Sequence, residues 1–211
     1  MPTMRADDSW LPLFPLKTVL FPEGVLPLKV FEARYIDMVR ECMRRDAPFG
    51  VVQIKAGQEV GMAAEPESVG CLAHISSWDM EVPGVMMLRT LGGERFRILE
   101  TRVLTDQRLE AQVDMIAPDE PASVSDVHVA CATALKLVID DVNAKGRAQQ
   151  DEAFISPFSQ PVRLDSASWV ANRWCELLPI TLKARQKLLE LDDAQIRLSI
   201  VHQYLQQHQI L

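Results

Sequence analysis

The feature that most constrains this chain is a change in its hydrophobic period near Pro118. Before it, apolar residues alternate in short runs; after it, Val124, Val127, Cys131, Leu135 and Val138 fall on one helical face. Alternation with a period of two belongs to half-buried strands and a period near 3.6 to amphipathic helices, so one fold class must hold both. The expected class is α+β, with a β-rich part over 10–118 and a helical bundle over 122–209. A length of 211 residues suffices for one large domain or two small ones.

Local signals divide the first part. The run WLPLFPLKTVLFPEGVLPL (10–28) carries Pro12, Pro15, Pro22 and Pro27, which forbids helix and suits short, kinked strands. Tyr35, Ile36, Val39 and Met43 then recur at helical spacing, with Glu41 placed to pair with Arg45 and Pro48 as a stop. Strands are expected at 49–55, 70–81, 85–91, 94–104 and 108–116. A polar loop is expected at 56–69, a tight turn at Pro83-Gly84 and a break at Gly92-Gly93. Such closely spaced strands make a barrel or sandwich. In the second part, helices are expected at about 167–178, 182–191 and 193–208, with Thr181 and Asp192 or Asp193 as N-caps, and a long loop over 146–166.

Composition excludes several functions. The net charge of −7 is even: residues 1–118 carry 13 basic and 17 acidic groups, residues 119–211 carry 9 and 12. Neither part offers a polyanion a basic face, so nucleic acid is not an expected partner. Cys42, Cys71, Cys131 and Cys175 are too scattered for a metal or redox pair and read as reduced core thiols. Residues 1–10 hold Asp7 and Asp8 where an export signal needs basic residues, and no apolar run reaches about 18 residues. The expectation is a cytoplasmic protein without a membrane partner.

Chemistry is equally sparse. There is no Gly-Lys pair for a phosphate loop, no Gly-x-Ser-x-Gly elbow, no Ser-x-x-Lys, and His74, His128, His202 and His208 lack the His-Glu-x-x-His spacing. No catalytic, cofactor-binding or metal-ligating residue is assigned, and no cofactor is expected. A hydrolytic or small-ligand cleft would have to be built from dispersed groups such as His74 with Asp79 or Glu81. A binding surface finds its candidates among flat rings and flexible thioethers: Trp78, Met80, Met86 and Met87 around one hairpin, and Trp169, which stands five residues from Trp174 and so off its helical stripe. Core packing is the competing reading for each.

Three ordered motifs then carry a family resemblance. Residues 11–39 contain Pro15-Leu16, Phe21-Pro22 and Pro27-Leu28 ahead of a short helix; VGCLAHI (69–75) has the form Val-Gly-x-x-Ala-x-Ile; GGERFRI (92–98) has the form Gly-x-x-Arg-Phe-x-Ile. Together they resemble the N-terminal substrate-recognition domain of Lon proteases. Residues 177–198 are similar to that family's helical segment, with Gln186-Lys187 read as an inverted basic–amide pair. The resemblance implies a PUA-like β-barrel followed by a helical bundle. It also implies a non-catalytic partner for unfolded or partly folded polypeptides, or for a protease or chaperone component, bound in a groove between barrel and bundle and along an exposed strand edge. No residue here matches the ATPase or Ser-Lys peptidase parts of Lon proteases. A PUA-like nucleic-acid module is the alternative that the same fold allows.

Overall fold

The computed structural model describes residues 10–150 and 154–211. The reading of Asp7 and Asp8 lies outside the described residues, as does the stretch 151–153 of the expected loop. The chain divides into two compact units: the described residues up to Pro118 together with Leu182–Leu189, and Asp119–Thr181 together with Glu190–Leu211.

The first unit contains β1 (Leu11–Leu16), β2 (Val25–Val30), α1 (Ala33–Arg45), β3 (Phe49–Ala56), β4 (Glu65–Val82), β5 (Val85–Val103) and β6 (Leu109–Met115). The strand order is β2-β5-β4-β3-β1-β6, and β5 also pairs with β6, so β1, β3, β4, β5 and β6 close into a ring. Closure works because β5 is 19 residues long. Along one edge it pairs with β4; along the other its first part pairs with β2 and its second with β6. The prolines of β1 sit where that strand has one neighbour. Pro12 pairs only with β6 and Pro15 only with β3, so neither missing N–H breaks a two-sided ladder.

Alternate side chains from all five ring strands, Leu13, Val52, Leu72, Phe96, Leu109 and Ala111, make one buried cluster. A second forms under α1, which buries Tyr35, Ile36, Met38, Val39 and Cys42, with Tyr35 stacked on Phe14 at 4.3 Å. The helix ends at Asp46, whose left-handed backbone returns its N–H to the carbonyls of Cys42 and Met43. Arg45 meets Glu41 at 2.8 Å, as their spacing requires.

Of two expected interruptions, the loop after β3 is shorter than expected, over 57–64, and the break in β5 is absent. β4 begins at Glu65, inside the expected loop, and β5 runs through Gly92-Gly93 without a break. Gly92 serves a close approach: the turn at Phe21–Gly24 docks on it through Gly92 N–H to Gly24 O and Glu23 N–H to Gly92 O, both 2.8 Å. A Cβ at Gly92 would stand 2.1 Å from the Phe21 carbonyl oxygen.

The second unit holds a 3-10 turn (Asp126–His128), α2 (Val129–Gln150), α3 (Ala167–Leu177) and α5 (Ala194–Gln207). Here α2 continues past Gly146, where a loop was expected, and Asp193 caps α5 by accepting from Gln195 and Ile196 N–H. Buried Arg197 ties the unit together, donating to Asp119 at 2.7 Å and Asn172 at 3.0 Å. The helix α4 (Leu182–Glu190) corrects the expectation of an unbroken helical part over 122–209, because Leu182–Leu189 groups with the strands. Gln186 Nε2 donates to Val69 O at 3.0 Å, and Arg95 satisfies the Leu189 carbonyl in the last turn of α4 at 2.7 Å.

Candidate functional site

The β4–β5 hairpin places the four side chains expected near it on different surfaces. Directly paired residues share a face of a sheet, and the register sets Trp78 opposite Leu88 and Asp79 opposite Met87. Trp78 therefore lies on the α1-facing side and Met87 on the outer side; they are 54% and 46% exposed. Met86 is 2% exposed, and Met80 packs against the cluster under α1. The expectation of one aromatic and methionine cluster is corrected: alternation along β5 turns Met86 into the core and Met87 out of it. Trp169, at 1% exposure, is likewise a core residue, with the Arg173 guanidinium 5.5 Å from its ring. Trp174 is buried too and donates to Cys131 O at 3.0 Å.

The outer face of β2, β5 and β4 is mixed. Met87 lies between Lys29 and Asp79, Arg89 between Pro27 and Ser77, and Leu91 between Val25 and His74. Phe31, just past β2, adds an exposed ring. On the opposite side, a groove of about 280 Å³ runs between the end of α1 (Met43, Asp46, Ala47) and residues 74–78 of β4.

A larger cleft, about 670 Å³, opens by Trp10, Met38 and Cys42. The Arg102 guanidinium lies 4.3 Å from the Trp10 ring centre and reaches Glu110 at 2.6 Å. Arg45 and Arg108, also on its wall, are paired to Glu41 and Asp106. These guanidiniums each face a carboxylate, so the cleft offers little net charge to an ion. Burial, with the Glu41 charge adding to it, pushes the Cys42 thiol up to about 11, so it stays protonated at neutral pH and is a poor nucleophile. Burial has the same effect on Cys131, also at about 11. Sequence reasoning missed this cleft because Trp10 and Arg102 meet only through the closure of β5 on β6, and no local motif announces that.

His74 is exposed, and its ring lies over Gly93, where an added Cβ would stand 2.6 Å from Nε2. Among the described residues no hydrogen bond joins it to Asp79, whose carboxylate accepts the Met80 N–H at 2.6 Å; the Glu81 side chain lies outside the described set. His128 is buried, with Nδ1 3.0 Å from Ser125 Oγ and Nε2 3.3 Å from Ser199 Oγ. Ser199 Oγ donates to Gln195 O at 2.8 Å, so its proton is committed to the backbone rather than to the imidazole. Among the described residues no group of three or more His, Cys, Asp or Glu is gathered at metal-ligand spacing.

The three motifs interlock as packing devices. Gly70 leaves room for Phe96, since a Cβ there would stand 2.5 Å from that ring and 2.6 Å from Val51 O. Val69 accepts the Gln186 amide, Arg95 holds the end of α4, and Gly92 receives the Phe21–Gly24 turn. Gln186 is the buried amide, and Arg185 precedes it, so the basic–amide order stands at 185–186 rather than inverted at 186–187.

This architecture is the Lon N-terminal domain fold. It superposes on the crystal structure of a Lon N-terminal domain protein from Xanthomonas campestris with a TM-score of 0.71, at 33% identity over 91% of this chain and 96% of that one. The N-terminal domain of a Mycobacterium avium complex Lon protease shares the fold at a TM-score of 0.59 and 16% identity, over 94% and 99% of the two chains. The chain belongs to the ATP-dependent protease La (LON) substrate-binding domain family, whose model matches residues 10–207. Among curated relatives, Lon protease 2 of Herpetosiphon aurantiacus is 30% identical over 89% of this chain, and protein cereblon of Gallus gallus 26% identical over 72%. The chain spans 22% of the former's length and 34% of the latter's. No helix among the described residues is long and apolar enough to cross a membrane.

Proposed function

We propose that this protein is a non-catalytic polypeptide-binding module, a substrate-recognition or adaptor protein acting in the cytoplasm on unfolded or partly folded chains or on a protease or chaperone component. The observation that carries the reading is the β4–β5 hairpin, which holds Trp78 and Met87 in solvent on its two sides while its neighbours Met80 and Met86 supply the core. A ring and a thioether on a rigid strand pair offer adaptable apolar contact, as a partner of variable sequence requires. Membership of a substrate-binding domain family supports the same reading, and four free, buried cysteines suit a reducing compartment.

The test is fluorescence anisotropy of a labelled, permanently unfolded polypeptide titrated with the protein, beside the same label on a folded protein. Saturable binding to the unfolded probe alone supports the proposal; no binding up to about 100 μM, equivalent to less than about 5.5 kcal/mol, rejects unfolded chains as the partner and leaves one specific protein or a small ligand. A second reading, a small-ligand site, is favoured by the cleft at Trp10 and Arg102, whose volume of about 670 Å³ falls in the range of ligand pockets. A Trp10 fluorescence change on titration with small uncharged planar compounds, lost in Arg102→Ala, would favour that reading.

A further inference from the structure

β4 has strand neighbours on both edges only as far as Ala73. β5 follows it to Val82, but β3 begins at Phe49, opposite Ala73, and among the described residues no strand lies along the same edge beyond it. The chain is diverted there: Pro48 precedes β3, and the left-handed turn at Asp46 leads back into α1. The groove between α1 and residues 74–78 occupies the place that a longer β3 would fill.

A free strand edge presents backbone N–H and C=O groups that another extended chain can satisfy. The edge has definite ends. It opens past Ala73, where β3 stops, and closes before Met80, whose N–H is taken by the Asp79 carboxylate; the open stretch is His74 to Trp78, with a register shift at Ser76, whose Oγ donates to Arg89 O. Its surroundings are selective. Trp78 stands exposed at one end; Asp46, exposed and without an ion-pair partner among the described residues, stands on the opposite wall, and no Lys or Arg lines the groove.

We infer that this edge of β4 takes an extended segment of a client polypeptide as an added strand in the line of β3, with a basic side chain toward Asp46 and an apolar one against Trp78. The inference rests on the polypeptide-binding reading and assigns its location and mode. Strand addition recognises backbone, so it tolerates many sequences, and Asp46 makes segments with Lys or Arg preferred over acidic ones.

The test uses the intact chain, the labelled unfolded polypeptide as reporter, and a seven-residue competitor alternating valine and lysine. The competitor is made in three forms: unmodified, N-methylated at odd positions, and N-methylated at even positions. Because alternate amides of a strand face one edge, one methylated form should lose about tenfold or more in affinity while the other competes like the unmodified peptide. Amide hydrogen exchange should slow at residues 74–78 on binding, and Asp46→Asn should weaken the lysine competitor several-fold but not a variant with serine in place of lysine. Equal competition by both methylated forms, or protection elsewhere in the chain, overturns the edge while leaving the polypeptide-binding reading intact. Failure of the labelled polypeptide to bind overturns both the edge and unfolded chains as the partner.

Discussion

Trp78 and Met86 are side chains of similar apolar character on one hairpin, yet they are coupled to different quantities. Trp78→Ala removes a ring that is half in water, so the melting temperature should stay nearly constant while affinity for the unfolded polypeptide falls; Met87→Ala, on the face away from the β4 edge groove, should likewise spare the melting temperature. Met86→Ala empties a core position and should cost about 2–5 kcal/mol in denaturant unfolding. His128 gives a second residue-level expectation. Burial and the neighbouring His202 hold its pKa below the usual histidine value, so the unfolded chain binds the proton more tightly than the folded one. Its contribution is present in full above about pH 6.5 and is lost as the pH falls through the depressed folded value. The denaturation midpoint should therefore decline on acidification below about 6.5, and His128→Gln should flatten that part of the profile.

Among elements, α4 is tied to the long strands β4 and β5 through buried polar contacts. Arg95, 3% exposed, satisfies the carbonyl of Leu189, and Gln186, 2% exposed, satisfies that of Val69. Arg95→Met keeps the bulk but leaves the helix end without that donor, and should cost about 1–3 kcal/mol. Gly92→Ala should be at least as damaging, because its Cβ would meet backbone rather than a movable side chain. Thermal melts of both variants, followed by circular dichroism, check these expectations. Exchange kinetics of the α4 amides distinguish them, since only the Arg95 change acts on the end of that helix.

For the molecule as a whole, the strand-rich unit is not a contiguous stretch of chain. Residues 182–189 return to it after the second unit has begun. A fragment ending at Pro118 would retain every strand and lose α4, together with the partners that α4 gives to Val69 and Arg95. It should melt well below the intact chain, and recovery should follow if residues 182–190 are restored by a linker. A fragment as stable as the whole protein would show instead that α4 contributes little to the barrel.

Much was legible before the fold was known. Period-two runs and their prolines implied short strands, the spacing of Tyr35, Ile36 and Val39 implied α1, and Pro83-Gly84 implied the hairpin turn, because each depends on neighbours within a few residues. Asp193 was legible as a cap for the same reason. The motifs around Gly70, Gly92 and Arg95 were recognisable as a pattern, but not as the packing contacts they are, since their partners Phe96, Phe21 and Leu189 are brought to them by the fold. Which methionine faced water could not be read either: Met86 and Met87 are adjacent, and a shift of one residue in register exchanges them. Local chemistry in the sequence determined where strands and helices form, but not the ends of β4, β5 and α2. Only the tertiary structure decided that β5 closes the ring, that α4 belongs with the strands, and that β4 keeps an open edge beside Asp46 and Trp78, because each follows from pairings between residues far apart along the chain.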